Sequence, residues 1–512
     1  MGTLLVFVPN TIVHEPPSFL LGFSKEDPRF DCRSVYVLGT QPFEKSCDSL
    51  QSISDQIVGT CSSKLGKSFK VSKIDPQDIW LTIRCLEKDI TLQNCVISKK
   101  PQPLNSCIVI KYDLHSLMKS ELFLCPDFKN KHEIDHFKII ANNLQIKHDR
   151  DFISSKYYDF YINTILVIFA LIHIVLDKGS FILQYSTLIS HLKSYVYSIL
   201  WAGETCKKKR YINLKVGNYL MSMVLDILAG FIVYFMLNRW KSADEMFDSL
   251  SLSTKVVIDS INDLVKSLMG SPAGLKLNQP LSNLLGSLVL YYLEIWWAFL
   301  SLVRPILELA FLILIKIGFL GFTFQIAVFS DILAIVSFHV YCIYIYAARL
   351  YEIQAKGLYS LSRLVLGRKR NPEPGKVDSC PYSTEELLIG TISFAVLLFL
   401  LPTTLVYYVV FTGMRLGVIV ISGLLNYTIY FIQTMPVYTT VLWLFFPCYT
   451  ATIVKLTPST GTLNTEHGSL IAKSTNASWL ETIKKCVPDV LKPPHTVPIG
   501  QTMWKVASGK LI

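Results

Sequence analysis

Apolar residues in this chain gather into long blocks separated by short polar breaks, and the blocks are longer than a soluble core requires. About 65 nearly continuous apolar residues run from Leu284 to Ala348, and further runs cover Val216 to Leu237, Leu387 to Phe411 and Leu416 to Ile432. A helix crosses the hydrocarbon of a bilayer with about 20 such residues. The longest block therefore predicts three crossings, divided at Arg304-Pro305 and Ser330-Asp331, and the later runs predict two more. Pro402 lies inside one of them and predicts a kink, because proline cannot donate its backbone hydrogen bond. Tyr161 to Leu176 is short for a span, Phe181 to Trp201 carries His191 and Lys193, and Ser242 to Met269 is apolar at helical spacing on one side only. These read as interfacial or hairpin segments. Val437 to Cys448, bracketed by Pro436 and Pro447, is too short to cross alone.

Residues 1–155 follow another rhythm. Short β-rich runs (Thr3 to Val8, Ser34 to Leu38, Trp80 to Cys85, Cys107 to Tyr112) alternate with helix-compatible polar stretches such as Ser46 to Val58, an α/β pattern. From Lys455 onward the sequence is polar and predicts a mobile tail. The fold class expected is an α-helical multi-pass membrane protein of about six to eight membrane segments, some of them interfacial, with an N-terminal α/β domain on the cytosolic side. Its blocks are residues 1–155, 156–283, 284–454 with a basic loop at 349–384, and a polar tail at 455–512.

Composition sharpens this picture. Of the 512 residues 51% are hydrophobic and 17% charged, against about a quarter charged in soluble domains. The net charge of +11 lies beside apolar segments rather than along one polar face, which favours anionic lipid heads and excludes nucleic acid. Counting positive charges places the Lys207 to Lys215 loop, the Arg349 to Lys376 loop and the tail on the cytosolic side. Seven of the 12 cysteines precede the first membrane segment without a C-x-x-C pair, which points to a reducing compartment for the first domain. The opening MGTLLVFVPN lacks the basic start of a signal peptide.

The combination of RLYEIQAKGLYSL, GRKRN, VDSC, LLIGT and LLFLLPT between Ala347 and Thr404 is more specific than any span needs. With PAGLKLN (Pro272 to Asn278) and FHVYC (Phe338 to Cys342), it resembles the PIG-Q family, subunit Q of the phosphatidylinositol N-acetylglucosaminyltransferase complex. The resemblance is strongest from about Asn218 to Tyr438. After the basic cluster this chain has Pro372, Glu373, Pro374 and Gly375 where the family pattern carries further arginines. The resemblance implies a non-catalytic scaffolding subunit in the endoplasmic reticulum membrane, without a cofactor. Its partners would be a separate catalytic glycosyltransferase subunit and other small membrane subunits, its lipid phosphatidylinositol, and its reaction the first step of glycosylphosphatidylinositol-anchor synthesis. An independent membrane transporter or lipid-modifying enzyme is the other class, although the chain lacks the inverted repeats common in transporters.

Candidate chemistry falls into three groups. His132-Glu133-Ile134-Asp135-His136 matches H-E-x-x-H, which on a helix presents two imidazoles to zinc. Here it sits in a run of solvated charge with Asp135 inside it, so a polar juxtamembrane helix without metal is expected. The only D-x-D, Asp149-Arg150-Asp151, lies in the same run, and no two glutamates have E-x7-E spacing; autonomous sugar transfer is not expected. The second group is intramembrane: Asp226, Glu294, Lys316, Asp331 and His339. A charge at a helix centre costs at least about 2.5 kcal/mol, so Asp226 and Glu294 read either as paired, across helices or with a partner subunit, or as facing a local water-filled gap, with Lys316 a candidate partner for Glu294, Asp331 capping its own helix, and His339 a satisfied buried imidazole. The third group is basic: Lys276, Arg349, Arg363, Arg368, Lys369 and Arg370, which either anchor topology or hold a lipid phosphate. Asn476-Ala477-Ser478 is a glycosylation sequon, unused on the cytosolic side.

Overall fold

The computed structural model describes residues 3–511 apart from 28–31, 43–56, 63–78, 87–88, 98–99, 125–134, 152–155, 184–185, 210–211, 241–242, 271–273, 275–276, 371–376, 380–381, 460–466 and 495–497. Most of the stretch from Ser46 to Val58 thus lies outside the described residues, as do His132, Glu133, Lys276 and Pro372 to Gly375. The chain divides into two compact units. The first comprises residues 1–167, 201–221 and 436–489, and the second residues 168–200, 222–435 and 490–512.

A ten-stranded mixed sheet forms the first unit. Eight strands come from the N-terminal region: β1 Thr3–Pro9, β2 Ser18–Asp27, β3 Cys32–Pro42, β4 Ile57–Ser62, β5 Ile79–Leu86, β6 Asp89–Ile97, β7 Lys100–Pro101 and β8 Cys107–Tyr112. Alternation along β1 divides the core. Leu4, Val6 and Val8 pack with Val35, Val37 and Val109 on one face, while Phe7 packs with Tyr36, Ile110 and Tyr112 on the other. The parallel register sets Val6 opposite both Val35 and Val109, which aligns the layer. Leu81, Ile83 and Leu92 of β5 and β6 join the first cluster. Cys61 and Cys85 meet there as free thiols with sulfurs 3.1 Å apart. Helices α1 Leu114–Lys119 and α2 His136–Asp151 cover the other face through Leu117, Ile140, Ala141 and Leu144.

The last two strands of the sheet correct the expectation of a mobile tail. Gly468–Asn476 pairs in parallel with β8, from Gly468 opposite Ile108 to Ala472 opposite Tyr112, and Ala451–Pro458 pairs antiparallel to it. Ala451 and Ala472 are buried in the cluster of Phe7 and Tyr36. This strand alternates half-buried Leu470 and buried Ala472 with exposed Ile471 and Lys473, as strands do in a sheet with one face packed on the core and the other solvated. Composition therefore hid a strand that period-two reading contains.

Helices build the second unit and the connections to it: α3 Lys156–Leu183, α4 Thr187–Lys209, α5 Leu214–Trp240, α6 Ala243–Met269, α7 Gln279–Lys316, α8 Phe322–Val336, α9 Phe338–Val365 and α10 Thr384–Gln433. As its spacing predicts, α6 buries one stripe, Ile258, Ile261, Val265 and Leu268. Among the described residues, three helices are long and apolar enough to cross a bilayer, 214–239, 279–319 and 384–433. The pair α8 and α9, bent by 49°, makes a fourth if counted as one span.

That is three to four spans by length and hydropathy, against six to eight segments expected, and the difference lies in where the chain breaks. Helix α7 continues through Arg304-Pro305, and Ser330-Asp331 lies inside α8. The chain turns instead around Ile317 to Gly321 and at Ser337. Proline is tolerated within apolar helices when neighbours satisfy the freed backbone groups, whereas Gly321, at φ 142°, has a conformation that ends a helix. The two later runs form one 50-residue helix, α10, through Pro402 and Thr412 to Arg415. At 1.5 Å per residue it measures about 75 Å, more than twice the roughly 30 Å of hydrocarbon. It starts at a capping box in which Ser383 and Glu386 satisfy each other's backbone N–H.

Candidate functional site

Two carboxylates of the second unit, Asp226 and Asp331, are held by helix ends. Asp226 of α5 is 4% exposed; its Oδ1 accepts from the Thr323 N–H at 2.8 Å and its Oδ2 from the Thr323 hydroxyl at 2.6 Å. Thr323 is in the first turn of α8, whose N-cap position is Gly321 and offers no side chain. Asp226 thus supplies from a neighbouring helix the cap that α8 lacks, and its charge meets the positive end of the helix dipole. Space for this arrangement comes from glycine: a Cβ on Gly321 would lie 2.3 Å from Asp226 Oδ2, and one on Gly230 2.4 Å from the Gly318 carbonyl. Because the Thr323 hydroxyl donates to Asp226, it accepts from His191 Nε2, 3.1 Å away, which sets the proton on that nitrogen.

Asp331 repeats the device and corrects its own expectation. It does not cap α8, in which it lies mid-helix, but α4. Its Oδ1 accepts from Thr187 N at 2.7 Å, and its Oδ2 from Ser186 Oγ at 2.6 Å and Leu188 N at 3.2 Å. The Glu294–Lys316 pair is excluded by geometry. Both residues sit on α7, about 33 Å apart along its axis, and Glu294 is exposed. His339 is half satisfied: Nδ1 donates to the Val336 carbonyl at 2.9 Å, while buried Nε2 has no partner among the described residues.

Several polar residues of this region escaped sequence reasoning. Thr323, Ser186 and Thr187 are ordinary cap residues whose acceptors lie on other helices. Arg415, in the gap between two predicted spans, sits 4.5 Å above the Tyr341 ring. Gln354 accepts from Thr404 in a buried contact between α9 and α10. Only Arg415 carried a visible signal, a lone charge in an apolar run.

Among the described side chains, Arg349 and Arg363 have separate partners. Arg349 donates to Glu352 at 2.8 Å, and Lys356 reaches the same carboxylate at 2.6 Å. Arg363 stacks on Tyr359 at 4.7 Å and lies about 21 Å from Arg349 along α9. Arg368–Arg370 forms a short strand antiparallel to Val377–Ser379, with Lys369 opposite Asp378. Of the H-E-x-x-H motif, Asp135 and His136 are described. Asp135 precedes α2 and accepts from the N–H of Phe137 and Lys138 at 3.1 and 3.2 Å. His136, the first residue of α2, shares a 2.7 Å hydrogen bond with the Tyr36 hydroxyl and stacks on Phe7. No group of three metal-ligating side chains occurs among the described residues.

A family model described as N-acetylglucosaminyl transferase component (Gpi1) matches residues 142–451, the run from α2 to the start of the tail strands. The chain belongs to the Gpi1 family. Among Gpi1 relatives, phosphatidylinositol N-acetylglucosaminyltransferase subunit Q of Mus musculus is 39% identical over 228 residues, covering 44% of this chain and 39% of the mouse protein. Subunit Q of Homo sapiens is also 39% identical over 228 residues, 30% of its length. The N-acetylglucosaminyl-phosphatidylinositol biosynthetic protein gpi1 of Schizosaccharomyces pombe is 29% identical over 253 residues, 48% of this chain and 38% of the yeast protein. The match thus spans well under half the length of these curated Gpi1 relatives. No solved structure matches the chain.

Proposed function

We propose that this chain is a non-catalytic, scaffolding subunit of the endoplasmic reticulum membrane complex that transfers N-acetylglucosamine from UDP-N-acetylglucosamine to phosphatidylinositol. The reading is carried by the Gpi1 match across the helical region. It is supported by the use of Asp226 and Asp331, which are spent on holding helices together. A scaffold needs such rigid joints between spans, whereas catalysis needs groups free to change protonation. The partners are a catalytic glycosyltransferase subunit and other small membrane subunits, and the membrane contacts are anionic lipid heads. Arg363, Arg368, Lys369 and Arg370 act as topology anchors in this reading, along with Lys276 and Arg349.

Purification in mild detergent tests it. The full chain is expected to bring down a UDP-N-acetylglucosamine-dependent transferase and to show no transfer by itself. Robust transfer to phosphatidylinositol by the purified chain alone would overturn the proposal. Anchoring is tested by replacing Arg363, Arg368, Lys369 and Arg370 together with lysine, which keeps charge and removes the bidentate guanidinium. Product formed per assembled complex is expected to be unchanged; a large loss with assembly intact would mean that these arginines grip a phosphate.

A further inference from the structure

The first unit contains a cavity of about 480 Å³ where α4 ends and α5 begins. Four lysines line it: Lys208 and Lys209 from the last turn of α4, Lys215 from the first turn of α5, and Lys485 from helix Trp479–Cys486. Three carboxylates, Glu121, Glu204 and Asp489, line it too. Two internal pairs partly neutralise the wall, Lys215 with Asp489 at 2.6 Å and Lys209 with Glu121 at 4.0 Å. Lys208 is exposed and makes no ion pair among the described residues, and the Asn213 amide has no side-chain partner among them.

We propose that this cavity binds the phosphate ester of a polyol. A bare anion would gain the lysines but face three carboxylates. A phosphorylated polyol satisfies both, because its phosphate accepts from the ammonium groups while its hydroxyls donate to the carboxylates. Membrane lipid and soluble headgroup share that chemistry, and position speaks for the lipid. Trp201 lines the same cavity, a residue type that favours the headgroup level, and the apolar span of α5 begins at Leu214 on its wall.

The inference stands on the cavity rather than on the subunit reading, and binding by the full chain is measurable without a transferase. Full-length protein in neutral detergent micelles is titrated with dioctanoyl phosphatidylinositol, dioctanoyl phosphatidylcholine and inositol 1-phosphate. The inositol lipid is expected to bind more tightly than the choline lipid. Lys208→Gln or Lys485→Gln should weaken it about tenfold, the loss of one charge-assisted hydrogen bond, and arginine at either position should restore it. Lys207→Gln is the matched control. It removes the same charge one residue away, from a side chain that lies outside the cavity and bonds Asn163 at 2.7 Å, and should leave affinity unchanged. Inositol 1-phosphate binding as well as the lipid would support the site and make its source soluble; binding of the lipid alone would support it and place the source in the bilayer. Equal binding of the two lipids, or equal losses in the Lys207 and Lys208 variants, would overturn the proposal.

Discussion

Gly321 and Asp226 fit each other atom against atom, which leaves no room for a larger residue at 321. Alanine there must hold φ 142°, a region essentially confined to glycine that costs other residues about 1–3 kcal/mol. It must also displace the carboxylate that caps α8. Gly321→Ala is expected to lower the thermal midpoint in detergent by several degrees, and an unchanged midpoint would contradict the cap. His467 offers a pH test in the sheet unit. It is 6% exposed, and burial, with a smaller effect from Lys111, lowers its pKa below the ordinary 6.5. The neutral ring is favoured in the folded state, so the unfolded chain binds more protons at acid pH. Stability from this group is full above about 6.5 and lost as pH falls through the lowered folded value. His467→Asn should flatten the dependence of sheet unfolding between pH 7 and 5; an equally steep dependence would assign it to other groups. At this scale the sequence showed which charges need partners but not which partners. Thr323 is 97 residues from Asp226, and Thr187 is 144 from Asp331, and no local pattern spans such gaps.

Helices and strands were legible in proportion to their periodicity. The stripe of α6 and the runs of β1, β3, β5 and β8 are plain in the chain, and the span in α5 is plain by hydropathy. Continuity was not legible. Whether α7 passes Pro305, or α10 passes Pro402 and Arg415, depends on neighbours that satisfy the freed backbone and the charge, and Arg415 has Tyr341. The tail strand Gly468–Asn476 was missed because half its residues face outward. It gives a paired test: Ala472→Asp buries an unpaired carboxylate beside Phe7 and Tyr36, which costs several kcal/mol, whereas Ile471→Asp points outward. Limited proteolysis should release the tail from the first variant and not the second. Equal resistance in both would mean that the strand is not docked.

For the molecule as a whole, apolar composition was enough to expect helices of bilayer length, three of which stand among the described residues, and the family motifs lie in the helical region matched by the Gpi1 model. The division into units was hidden, since each unit is assembled from three separated chain segments and linear blocks cannot express that. Asn476 illustrates the consequence for modification. Its Nδ2, the atom a glycan would occupy, donates to the Trp443 carbonyl at 3.4 Å within the folded unit, and a glycosidase is expected to leave the mobility of the native protein unchanged. Sheet order carries a further implication for how a cell makes this protein. The ribosome completes β8 at Tyr112, but the strand that covers its edge ends at Asn476. At about 5–20 residues per second, the open edge waits roughly 20 to 70 s while every helix of the membrane region is delivered. The strand that pairs with β8 is made only after the helical region. A chain that stalls midway keeps a bare strand edge, a mark by which quality control can tell unfinished molecules from finished ones.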